Sequence, residues 1–197
     1  MRRIVLASTS PRRIQILRTM VNEFEIVDPN IEEPNFTTPQ ETAEKLALMK
    51  ATKVFEVREN AIVIAADTVV DLDGETIGKP ASVDEAQQQL CKLMGKWHQV
   101  HTAVAIVSEH EVWMKLKSAK VKFREVSMDF VSFYASKFSS GKAGSYGLQD
   151  IGAVFVESII GDPYVVIGLP IYDVWNYLYS RGLWCVEASR AYETCWI

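Results

Sequence analysis

Residues 6–13 read Leu-Ala-Ser-Thr-Ser-Pro-Arg-Arg. A short apolar run passes through three hydroxyl residues into a proline that suits the first position of a helix. Two arginines there oppose the helix dipole, whose N-terminal end is already positive. The combination makes chemical sense with an anion seated on it. Helix N–H groups, the hydroxyls of Ser8, Thr9 and Ser10, and the forked guanidinium groups of Arg12 and Arg13 would all donate to phosphate-like oxygens. The alternative is a capped helix carrying solvated arginines. A Walker A loop is excluded, because GxxxxGK[ST] is absent.

Further along, Ala61 to Ala66 is continuously apolar and Asp67 follows directly. A carboxylate at the end of a buried strand is costly unless it is paired, hydrogen-bonded or metal-bound; a structural Asp capping a turn is the alternative. Gly78-Lys79-Pro80 follows a hairpin signal at Asp71 to Gly74, which would return Lys79 close to Asp67. A lysine beside a carboxylate and a phosphate is a charge clamp for phosphoryl chemistry. Glu32 and Glu33 lie in a Pro-flanked loop. Magnesium is held by few carboxylates plus substrate phosphates, so one of this pair with Asp67 would suffice; a solvated acidic pair is the other reading. Lys142 to Gln149 is a Gly-spaced loop ending in an amide that could read a base edge or orient water. His98 and His101 do not make a zinc site, since residues three apart on a strand face opposite ways. No G-x-S-x-G occurs, and no cysteine has a catalytic setting.

The chain that must position these groups has 197 residues, 48% of them hydrophobic and 23% charged, with a net charge of −4. That is enough apolar material for a core without staples, and too acidic for the broad basic face of nonspecific nucleic-acid binding. The arginines are therefore a local site, and an RNA-binding module is disfavoured. Three widely spaced cysteines, Cys91, Cys185 and Cys195, argue against a disulfide framework and structural zinc. No run approaches the roughly 20 apolar residues of a membrane span. The run Ile4 to Ala7 is too short for a signal peptide, so cytoplasm is the expected location.

Periodicity predicts a strand over 3–7, a helix opened by Pro11 with Ser8 or Ser10 as cap, and a strand over 24–27. The capping boxes Thr38 to Glu41 and Ser82 to Glu85 open helices, the first running to about Glu59 and the second closed by Gly95. Strands are predicted over 61–66, 100–107, 112–123, 153–156 and 164–167. Helices are predicted over 128–138 and from Pro170 to about Arg181. Hairpins together with crossovers imply an α/β fold on a mixed sheet flanked by helices.

These pieces, in this order, resemble the Maf family of nucleoside triphosphate pyrophosphatases. The matching stretches are LASTSPRR, IEE, LALMKA, AADTVV, GKP, GKWHQVHTAV, KAGSYGLQ and VVIGLP, which span residues 4 to about 180. The resemblance implies two lobes with a deep cleft, a fold related to inosine triphosphatase. It also implies divalent-metal-dependent cleavage between the α- and β-phosphates, with magnesium first and manganese or cobalt as alternatives. AADTVV and AGSYGLQ are similar to the subgroup directed at dTTP, UTP and modified pyrimidine nucleotides rather than to the 7-methyl-GTP subgroup. By position, Ser8, Ser10, Arg12 and Arg13 match the family's phosphate-binding turn, and Glu33, with Glu32 beside it, its metal-associated acid. Asp67, Lys79 and Gln149 match the catalytic acid, lysine and glutamine, and Asp67 with Glu33 the metal ligands. Lys53 corresponds to a helix basic residue. Where the family commonly has Asp before KAG, this chain has Gly141, and where glycine usually follows the glutamine it has Asp150. A domain over 1–182, a tail over 183–197 without a family counterpart, a homodimer, and a role in clearing modified nucleotides are further expectations. The tail's Trp184, Tyr192 and Trp196 could dock on the body or at a dimer contact. The rival from another class is a non-catalytic nucleotide-binding regulator of cell division.

Overall fold

Strand β1 (Arg3–Ala7) is the second strand of the sheet in spatial order, and the computed structural model describes the chain over residues 3–34 and 36–185. It lies parallel to β2 (Glu25–Val27) and to β3 (Ala61–Leu72). Beyond β3 the sheet turns antiparallel through β5 (Trp97–Val107), β6 (Val112–Phe123) and β7 (Val156–Ile160), in the order β2-β1-β3-β5-β6-β7. Short β4 (Glu75–Ile77) returns along β3 through a turn at Asp73 and Gly74. The sheet is mixed, as the alternation of crossovers and hairpins predicts.

Alternation along the long strands divides the core. Leu6, Ile62, Ile64, Val104 and Ile106 face α1 (Pro11–Arg18) and α6 (Ile171–Ser180). Val5, Val63, Ala65, Ala103 and Ala105 face α2 (Pro39–Phe55), whose Ala43, Ala47 and Ala51 bring the helix close to the strands. This double cover explains the continuously apolar run at 61–66. Past Asp67 the same strands carry a second core, in which Val70, Leu72, Val100 and Phe123 pack on α3 (Val83–Leu93) and α4 (Met128–Phe138). β3, β5 and β6 are thus shared by two lobes, with a cleft of about 720 Å³ between them.

Four expectations need correction. β3 does not stop at Ala66 but continues to Leu72, so Asp67 lies mid-strand and not at a strand end. Residues 153–156 are not a strand. A 3-10 turn covers Ile151–Phe155, because the Asp150 side chain accepts from Gly152 N at 2.8 Å, and β7 begins only at Val156. Residues 164–167 form the short helix α5 (Pro163–Ile167). The β-branched pair there suggests a strand, but Asp162 caps Tyr164 N at 2.8 Å, Pro163 sits in the first turn, and Gly168 closes the helix at φ +117°. Helix α2 ends at Phe55, four residues short of the prediction. At the chain's far end, Leu183 and Trp184 pack on the α1–α6 core, and the Trp184 indole donates to Met20 O at 2.8 Å. Tyr192, Cys195 and Trp196 lie outside the described residues.

Candidate functional site

Every residue singled out as catalytic or substrate-binding lines the inter-lobe cleft: Ser8, Ser10, Arg12, Arg13, Glu33, Asp67, Lys79 and Gln149. The chain's first turn, the loop after β2, the middle of β3, the segment after β4 and the Gly-spaced loop meet there. Glu32 does not line it.

The opening turn has the predicted form. Pro11 starts α1 and Ser10 is its cap residue, but no cap bond forms with the Ser10 side chain. Ser8 is buried, and its Oγ accepts from Ser10 N at 3.2 Å. The Ser10 Oγ is buried with no partner among the described residues. An unsatisfied buried hydroxyl at a helix N-terminus is the condition an anion relieves.

The two arginines have different duties. Arg13 donates from Nε to Gly168 O at 2.8 Å and from Nη2 to Thr68 Oγ1 at 3.0 Å, so part of its fork locks α5 to β3. Burial pulls its guanidinium down, and the negative charge of Asp67 opposes that. Arg12 reaches across the cleft, with Nη2 at 3.4 Å from Gly141 O on the opposite wall.

At the centre stands a lysine that sequence reasoning missed. Asp67 follows Ala65 onto the α2 face of β3, and there it meets Lys50, which is 5% exposed. Lys50 Nζ lies 2.5 Å from Asp67 Oδ1 and 2.6 Å from Glu33 Oε1, and Lys79 Nζ lies 2.5 Å from Glu33 Oε2. The chain Asp67–Lys50–Glu33–Lys79 is continuous. Burial opposes the charge on Glu33, yet its bonds to Lys50 and Lys79 pull its carboxyl down to about 2. Lys53, the basic residue named from the resemblance, is exposed and pairs with Glu56 at 3.2 Å. A signal for Lys50 was present: it continues the buried stripe of Ala43, Ala47, Ala51 and Val54 on α2, where an unpaired lysine would be untenable.

Gln149 is exposed at the mouth of the cleft. Behind it, Asp150 accepts from Lys142 Nζ at 2.5 Å and from the Tyr134 hydroxyl at 2.8 Å. Charge in the cleft runs against the charge of the chain. Arg12, Arg13, Lys50, Lys79, Lys137 and Lys142 line it, against Asp28, Glu33, Asp67 and Asp150. His98 and His101 have hydrogen-bonded places in the sheet: His98 Nε2 meets the Tyr146 hydroxyl at 2.9 Å, and His101 bridges Asp71 and Ser118. The Ser118–His101–Asp71 line is absent from the cleft lining, and Ser118 sits mid-strand, where acyl transfer would lack free N–H donors.

Among the described residues no group of three or more His, Cys, Asp or Glu side chains could hold a metal ion by itself. The donor set is two carboxylates already spanned by an ammonium group. That fits a magnesium-like ion completed by substrate oxygens, and does not fit an all-protein cage.

A family model described as "Maf-like protein" matches residues 3–181. The chain belongs to the Maf family. Among Maf relatives, a dTTP/UTP pyrophosphatase of Thermotoga maritima is 47% identical over 191 residues, covering 95% of this chain and 94% of that protein. A dTTP/UTP pyrophosphatase of Aquifex aeolicus is 46% identical, covering 92% and 96% respectively. One from Bacillus cereus is 42% identical, covering 87% and 91%. Among the described residues of this Maf chain, no helix is long and apolar enough to cross a membrane.

Proposed function

We propose that this protein is a nucleoside triphosphate pyrophosphatase acting on dTTP, UTP and related pyrimidine nucleotides, giving the nucleoside monophosphate and pyrophosphate. The observation that carries the reading is the single cleft in which the cation-rich N-terminal turn faces Asp67 and its lysines. The names of the Thermotoga, Aquifex and Bacillus relatives supply the substrate class.

The triphosphate lies along the cleft. Its oxygens take donors from the Ser8–Ser10 turn, the free Ser10 Oγ, Arg12 and the outward part of the Arg13 fork. Asp67, whose Lys50 bond uses only Oδ1, accepts the proton of a water that attacks the α-phosphorus in line. The bond to the bridging α–β oxygen breaks and pyrophosphate departs, its charge balanced by Lys79 and Arg12. Lys50 holds Asp67 in orientation through its bond to Oδ1. A divalent ion, magnesium in the first instance, would be held by Asp67 and Glu33 with phosphate oxygens; when bound it supplies Lewis-acid polarisation of the phosphoryl group.

Hydrolysis in ¹⁸O-water tests the reading. Label in the nucleoside monophosphate and none in the pyrophosphate is expected, with turnover lost under EDTA. Nucleoside diphosphate and orthophosphate as products, or tight binding of dTTP with no turnover, would overturn it.

A further inference from the structure

We propose that Asp150 is a positioning residue that sets base preference: it turns the Gln149 amide so that the carbonyl Oε1, and not the Nε2 group, is presented to the nucleobase. This rests on the functional reading above and assigns its specificity to a residue outside the catalytic cluster.

Asp150 is a half-buried carboxylate with both oxygens engaged. Oδ1 accepts from the Tyr134 hydroxyl and from Gly152 N, each at 2.8 Å. Oδ2 accepts from Lys142 Nζ at 2.5 Å and from Gln149 Nε2 at 3.4 Å. Burial opposes its charge, but Lys142, the Gly152 amide and Tyr134 hold the carboxyl below its usual range. An ionised carboxylate only accepts hydrogen bonds. The end of the Gln149 amide that faces it must therefore be the NH₂ group, because the flipped amide would set two acceptors against each other.

The amide is also hemmed in. A Cβ on Gly147 would stand 2.7 Å from Gln149 Nε2, 2.8 Å from Asp150 Oδ2 and 3.1 Å from Gln149 Oε1, so the amide and the carboxylate are packed over this glycine. Gly147 itself is anchored, its N–H donating to the Tyr134 hydroxyl at 2.9 Å. Lys142 is buried, and it ties the same carboxylate to the end of α4 through Phe138 O. The Gln149 side chain thus leaves a fixed support at the cleft mouth with one end already committed.

A carbonyl oxygen presented alone selects a ring N–H. Uracil and thymine carry hydrogen on N3, whereas N3 of cytosine is itself an acceptor. A glutamine free to turn would serve both. With the amide fixed by Asp150, the site takes 2,4-dioxopyrimidine nucleotides and meets cytosine acceptor to acceptor. Two acceptors set against each other cannot hydrogen-bond, so the wrong base loses the contact that the right base makes.

The test compares kcat/KM for UTP and CTP in the wild type, Asp150→Asn and Gln149→Met. An asparagine at 150 can donate as well as accept and no longer dictates the amide. The UTP-over-CTP preference should fall by about tenfold or more, mainly through KM. Gln149→Met should abolish the preference with the carboxylate in place, and adding Asp150→Asn to it should change the ratio no further. Loss of loop structure alone would slow both substrates together and leave the ratio intact. A retained ratio in Asp150→Asn overturns the proposal, as does a retained ratio in Gln149→Met should the aspartate variant not fold. Calorimetry with UMP and CMP reads the same preference without turnover. A chain that releases no pyrophosphate, yet favours UMP and loses that preference in Asp150→Asn, contradicts the functional reading and keeps this one.

Discussion

Lys50 binds the site's two acids together at the cost of burying an ammonium group, a cost that its contacts with Asp67 and Glu33 offset. Lys50→Met should leave Asp67 buried without its partner. In metal-free buffer the protein should lose roughly 3 kcal/mol of stability, the usual scale for breaking a buried pair. Added magnesium should restore part of that loss, while the wild type without nucleotide should respond little, since the substrate oxygens that complete the ion's shell are missing. Thermal melts with EDTA and with magnesium read both effects; a Lys50→Met protein as stable as wild type in EDTA would refute the assignment. At this scale the sequence was readable where chemistry and position coincide. Ser8, Ser10, Arg12, Arg13, Asp67 and Lys79 reach the cleft from recognisable turns and strands. Lys50 was not, because its importance lies in the face of α2 it occupies, and choosing Lys53 three residues on turned the side chain out to solvent.

Among the elements, the small helix α5 shows how the fold holds a site residue. Gly168 ends it at φ +117°, and a Cβ there would lie 3.1 Å from Thr68 Oγ1, inside the bonds that fix Arg13. Gly168→Ala should cost about 1–3 kcal/mol from backbone strain and shift Arg13 off its two partners. A drop in Tm with a rise in KM for dTTP is the expected pair of changes; an unchanged KM would show that Arg13 does not contact substrate. The long strands and the capped helices α2 and α3 could be read from apolar runs and capping boxes, since those signals are local. The helical nature of 163–167 and the late start of β7 could not. Both depend on single aspartates, Asp162 and Asp150, whose side chains reorganise the backbone two residues on, and short apolar runs carry no period that tells helix from strand.

For the whole molecule, two lobes share β3, β5 and β6, and the second lobe keeps a neutral histidine in its core. Burial pushes His98 down to about 4, and its Nδ1 has no partner among the described residues. In the unfolded chain the same group titrates near about 6.5. The unfolded state therefore binds more protons between those values, so stability rises with pH across that window. It is fully present above 6.5 and falls by about 3 kcal/mol as pH drops through 4. His98→Gln should flatten that part of the pH–stability curve in urea titrations; an unchanged slope would place the acid sensitivity elsewhere. Glu33 contributes in the same direction but lower: its depressed carboxyl gives stability present above the ordinary value of 4.5 and lost as pH falls through about 2.

The central claim is that one cleft joins the phosphate-binding turn at the chain's start to Asp67, far along the sequence, in a single act of hydrolysis. Pyrophosphate release from dTTP and UTP by Asp67→Asn, set beside the wild type in magnesium, tests it most directly. Turnover should fall by about a hundredfold or more while the protein stays folded and still binds nucleotide. Release at the wild-type rate would contradict the account.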